Sequence, residues 1–72
     1  MIAVCQLTEA GRDLGWIVVD RTMDSAVSPV LWSESEARAF ADWYTEADGW
    51  TWPTVAARMA AFQAVVMVEV AR

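Results

Sequence analysis

Cys5 is the only cysteine in the chain, and histidine is absent altogether. No disulfide can close within it, and zinc lacks the Cys and His ligands on which its protein sites depend. At 72 residues the chain is close to the lower size at which one hydrophobic core suffices. The fold must therefore rest on packing, with self-association as the remaining aid. The expectation is a single small domain over 1–72, with no metal and no cofactor.

The material for packing is abundant. Hydrophobic residues make up 57% of the chain, above the ~45–50% usual for globular domains. Five of them are tryptophans, at positions 16, 32, 43, 50 and 52. A domain this small has much surface for its volume, so part of the excess should stay exposed or meet another chain. A homodimer is one expectation; the other is that thirteen alanines raise the count without making a sticky surface.

Local patterns give an α+β order, β-β-β-α-α: a small antiparallel sheet of about three strands covered by two helices. Residues 2–8 (IAVCQLT) and 16–20 (WIVVD) are rich in β-branched and aromatic residues, with Gly11 and Gly15 in the link between them. A third strand is predicted at 26–32, where Pro29 requires an edge or a bulge because it cannot donate to a ladder. Residues 33–36 (SESE) form a capping box, with Glu34 and Glu36 at the positive end of the helix dipole. Ala37, Phe40, Ala41, Tyr44 and Ala47 follow at helical spacing up to a stop at Gly49. This predicts a helix over about 34–48. A second helix is predicted from Pro53, as its first residue, to about 66, with Val55, Met59, Phe62 and Val66 in one stripe. Four valines within 64–70 leave a terminal strand as the alternative.

Chemistry is scarce. Without histidine or lysine the usual general base and amine nucleophile are missing. Cys5 has no neighbouring cation in sequence and is expected to be a small core residue. No phosphate loop, nucleophile elbow or dinucleotide fingerprint occurs, so the expectation is a protein that is not an enzyme. The net charge is −5 and the five arginines are scattered, which disfavours direct nucleic-acid binding. No segment reaches the ~20 apolar residues of a membrane span, the N-terminus lacks a basic signal-like region, and a lone thiol suits a reducing compartment. These point to the cytoplasm. The Ala, Val, Arg, Asp and Trp bias with no Lys or Asn fits GC-rich coding, as in some bacteria and their phages or plasmids.

Acidity is concentrated between 33 and 49: Glu34, Glu36, Asp42, Glu46 and Asp48 against Arg38 alone. Glu34, Arg38, Asp42 and Glu46 share one i, i+4 stripe opposite Phe40 and Tyr44. The stripe is either a solvated face bridged by Arg38 or an acidic surface for a basic protein. Trp16 and Trp32, in strands, are expected in the core, where each contributes several kcal/mol through its ~150–250 Å² of surface. Trp43 falls at the margin of the helix's apolar face, and Trp50 and Trp52 occupy the elbow between helices.

The leading functional expectation is a non-catalytic protein-binding module. It would be an inhibitor, of the kind a mobile element directs at a basic, nucleic-acid-handling host protein. Its partner-binding residues would be Glu34, Asp42, Trp43, Glu46, Asp48, Trp50 and Trp52. The alternative is a small homo-oligomeric structural protein or accessory subunit whose apolar C-terminal segment pairs with its own copy.

Overall fold

Two successive residues with positive φ, Ala10 (51°) and Gly11 (78°), turn the chain back on itself. Turns of this kind match the twist of the strands they join. In the computed structural model, which describes residues 1–46 and 51–70 (side chains as far as 66), they connect β1 (Ile2–Glu9) to β2 (Arg12–Asp20). The pairing is antiparallel, with Val4 opposite Val18 and Cys5 opposite Ile17. It shifts by one residue between Leu7 and Thr8, where Gly15 lies inside β2 and not in the link that the sequence suggests. With β3 (Ser25–Ala26) the sheet has the order β1-β2-β3, and two helices follow, so the chain is α+β in the order β-β-β-α-α.

The predicted third strand over 26–32 is interrupted. Ser25 and Ala26 pair with Asp20 and Val19, and the Val27 N–H donates to the Val18 carbonyl at 2.8 Å. Pairing then lapses at Ser28 and Pro29 and resumes where Leu31 and Trp16 exchange bonds of 2.7 and 2.8 Å. Across the gap the buried Ser28 hydroxyl accepts from the Val18 N–H at 2.9 Å and donates to the Pro29 carbonyl at 2.9 Å. A side chain thus replaces the ladder bond that the bulge removes, and the buried Val18 N–H keeps an acceptor.

Helix α1 (Glu34–Glu46) starts where the capping signal places it. The Glu36 N–H donates to Ser33 Oγ at 3.1 Å and the Ala37 N–H to the Ser33 carbonyl at 3.1 Å. Ser33→Ala is expected to lower stability by about 0.5–2 kcal/mol, read as a lower denaturation midpoint with unchanged slope. The predicted stop at Gly49 lies outside the described residues.

Helix α2 (Val55–Val70) departs from expectation at both ends. Its cap is Thr54, whose Oγ1 accepts from the Ala57 N–H at 3.1 Å; Pro53 precedes the cap and is not the first helical residue. The helix runs through 64–70, so the terminal-strand alternative does not form. Valine favours a strand only where a partner ladder exists, and residues 63 and 64 supply no turn that would carry the chain back to the sheet.

Strand alternation divides the sheet. Ile2, Val4, Trp16 and Val18 face the core beneath α1, while Ala3, Cys5, Leu7, Ile17 and Val19 take the opposite positions. The core joins Val18, Val27 and Leu31 to Ala37, Phe40, Trp43 and Tyr44 of α1 and Phe62 of α2. Cys5, expected in this core, is half-buried on the far side of the sheet. No described helix is long and apolar enough to cross a membrane.

Candidate protein-binding surface

The phase of α1 decides which side chains reach solvent. With Ala37, Phe40, Trp43 and Tyr44 turned inward, Glu34, Arg38, Asp42 and Glu46 emerge on the outer side, all exposed. Arg38 donates to Glu34 Oε1 from Nη2 at 2.6 Å and from Nε at 3.0 Å. It leans toward the helix N-terminus and does not bridge the whole stripe. Among the described residues no cation pairs with Asp42 or Glu46. An exposed i, i+4 pair like Glu34–Arg38 contributes ~0.3–0.5 kcal/mol, so the stripe adds little to the fold.

The tryptophans divide differently from expectation. Trp43 is only 9% exposed, against its expected place on a partner surface. Phe40, Trp52 and Phe62 lie 5.3, 5.6 and 5.8 Å from it between ring centroids. Its position about 60° from Phe40 lies on the flank where α2 closes over α1, so a marginal position becomes interior. Trp52 is half-buried against it. Trp32, expected in the core, is 91% exposed. It follows Leu31 on an irregular edge and has the parity of exposed Val30, whereas Val27 and Leu31 point inward. Asp48 and Trp50 lie outside the described residues.

Among the described residues the open aromatic is therefore Trp32, one residue before the Ser33 cap at the N-terminal end of the acidic stripe. Alternation about Pro29 was the signal for it, and the size of the ring masked that signal. Beside it, Ser33, Ser35, Glu36, Met59, Phe62 and Val66 contribute to a groove of about 710 Å³ between α1 and α2. Val66 of the predicted α2 stripe is partly exposed there, while Phe62 carries the stripe into the core.

One buried polar pair stands apart from this surface. Arg58, 7% exposed, places its guanidinium 5.9 Å from the centre of the Tyr44 ring, a cation–π arrangement that ties α2 to α1. Tyr44 Oη and Arg58 Nε are buried with no hydrogen-bond partner. Burial, and next the nearby Asp20 charge, push the Tyr44 phenol above its usual pKa, while Arg58 pulls it down. The phenol stays neutral at physiological pH and the pair serves packing.

Compared with known protein families, curated proteins and solved structures, the chain matches none of them.

Proposed function

We propose that this protein is a non-catalytic binding module that engages a basic protein surface through the outer face of α1, with Trp32 as its apolar anchor. The observation that carries this is the exposed Asp42 and Glu46 without a cation partner among the described residues. They lie on the helix whose N-terminal end adjoins the 91% exposed Trp32. Tryptophan is enriched at binding hot spots, and unpaired carboxylates on a rigid helix steer a cationic partner.

The density of charge shapes the choice of partner. Glu34 to Glu46 spans about 18 Å at ~1.5 Å per residue and carries three carboxylates, one of them paired. A duplex of the same length carries about ten phosphate charges. The stripe matches one patch of a nucleic-acid-handling protein and not its whole binding groove. Where that patch is needed for nucleic acid, inhibition follows, as would suit a phage or plasmid protein acting on its host.

The test begins with the wild-type chain immobilised at low salt and a lysate of a GC-rich bacterium, with captured proteins identified by mass spectrometry. The affinity of the captured protein is then measured for wild type, Asp42→Arg/Glu46→Arg and Trp32→Ala. Both variants should bind about tenfold or more weakly, equivalent to ~1.4 kcal/mol. Added salt should weaken the wild-type complex by screening. Thermal stability should stay within about ±0.5 kcal/mol. Equal affinity for wild type and the double reversal would leave the stripe as plain solvated surface.

A further inference from the structure

In an antiparallel pair, residues directly opposite each other alternate between exchanging both backbone bonds and exchanging none. The segment after β2 reveals the phase here. Trp16 exchanges both of its bonds with Leu31, while Val18 gives its N–H to Ser28 Oγ and accepts the Val27 N–H at its carbonyl. Neither has a bond left for β1, where Gln6 and Val4 stand opposite them. The Met1 carbonyl accepts the Arg21 N–H at 2.8 Å, in step with the same alternation. Val4 and Gln6, and Ile2 by the same alternation, therefore turn their N–H and C=O groups to the open side of β1. Among the described residues no backbone group bonds them there.

A recess of about 380 Å³ adjoins these groups, lined by Ile2 and Val4 from β1 and by Arg38, Ala41 and Asp42 from α1. Paired residues of neighbouring strands project to the same face. In a strand added at this edge, the residue opposite Val4 would send its side chain into the recess beneath α1. Arg38 is already committed to Glu34 by bonds of 2.6 and 3.0 Å. Asp42 has no cation partner among the described residues. The unmet charge in the recess is negative.

We propose that β1 receives an extended basic segment of the partner protein as an added antiparallel strand, with a lysine or arginine opposite Val4 paired to Asp42; this rests on the binding module proposed above, since Asp42 serves both. In such recognition the backbone bonds supply affinity and the pockets for alternate side chains supply specificity. A second copy does not meet these terms. Its β1, IAVCQLTE, has no cation to place in the recess, and two chains of net charge −5 repel each other. A cationic segment is favoured on both counts.

The probe is a capped seven-residue peptide of threonine with lysine at its centre and a valine two places to either side, so that lysine and both valines share one face. Titrated into the chain, it should slow amide exchange at Ile2, Val4 and Gln6 about tenfold or more. Ala3 and Cys5, already turned toward β2, should change little. Glutamate in place of the peptide's lysine should weaken binding about tenfold or more, as should Asp42→Arg in the protein. Gln6→Pro removes an outward N–H without touching the β2 ladder; it should abolish peptide binding while circular dichroism shows a retained fold. If Gln6→Pro does not fold, a peptide N-methylated at the lysine and both valines makes the same test, because those N–H groups would face β1. It too should bind about tenfold or more weakly. Unchanged exchange at Ile2, Val4 and Gln6 with millimolar peptide would overturn the inference, as would equal binding by the N-methylated peptide. Slowing of these amides by rising concentration of the chain alone would give the edge to a second copy and overturn it as well. A captured protein that binds Asp42→Arg/Glu46→Arg more weakly, yet folded Gln6→Pro as well as wild type, would overturn the added strand and leave the binding module in place. Equal affinity for wild type and the double reversal counts instead against the module itself.

Discussion

Phe40→Ala is expected to cost about 3–5 kcal/mol, a large share of the about 4–11 kcal/mol of stability that a domain of this size possesses. Phe40 is completely buried and is the residue through which the two helices share one core. Its ring meets Phe62 of α2 at 5.2 Å and Trp43 of α1 at 5.3 Å, both edge-on. Each such pair contributes ~0.5–1.5 kcal/mol beyond area alone, and alanine removes both at once. The cavity would lie between elements that can part, so α2 should loosen first. Chemical denaturation should show a much lower midpoint, and tryptophan emission should shift to the red as Trp43 and Trp52 gain water. Phe40→Leu keeps most of the volume and should cost clearly less. Similar losses for both variants would mean that the aromatic contacts add nothing to simple filling of space.

Gly15→Ala comes next in expected effect. Gly15 has φ +135°, a conformation that side-chain-bearing residues rarely adopt. A Cβ there would lie 2.6 Å from the Leu31 carbonyl oxygen and 2.6 Å from Val30 Cγ1. The exposed Val30 side chain can move aside. The Leu31 carbonyl cannot, because it accepts the Trp16 N–H at 2.8 Å. Backbone strain of ~1–3 kcal/mol therefore adds to ~1–3 kcal/mol for the hydrogen bond disturbed. The loss should appear in the denaturation midpoint. Faster amide exchange at Trp16 and Leu31 would locate it in the bridge between β2 and the third segment. Unchanged exchange at both amides would show that the strand can shift without losing that bridge.

Short-range chemistry made much of this fold legible. The valine-rich hairpin, the Ser33 cap and the inward phase of Phe40 and Tyr44 each follow from neighbours within a few residues. Features set by distant contacts were not legible. Trp43 and Trp32 exchange roles because α2 closes over the flank of α1 in one case, and the Ser28–Pro29 bulge fixes parity in the other. The closure of α2 has no local signature, whereas the alternation about Pro29 was local and was masked by the size of the Trp32 ring. Thr54 lacks the acidic residue three places on that strengthens a capping signal, so Pro53 drew the start of α2 to itself. The acidic stripe could be read from spacing alone, whereas the pairing of Arg38 with Glu34 needed side-chain geometry.

The bulge at Ser28 and Pro29 also governs how the sheet can grow. A flat strand edge with free donors and acceptors invites another strand, and repeated addition makes a fibre. On the β3 side the edge is short, Pro29 has no N–H to offer, and the Ser28 hydroxyl is committed inward to Val18 and Pro29. The β1 side, at the other end of the strand order, is eight residues long, with its one register shift near the hairpin between Leu7 and Thr8. The two edges thus differ in length and in the bonds they can offer. Growth of the sheet by strand addition is therefore closed off on the β3 side, where the backbone of the irregular segment turns its bonding capacity inward.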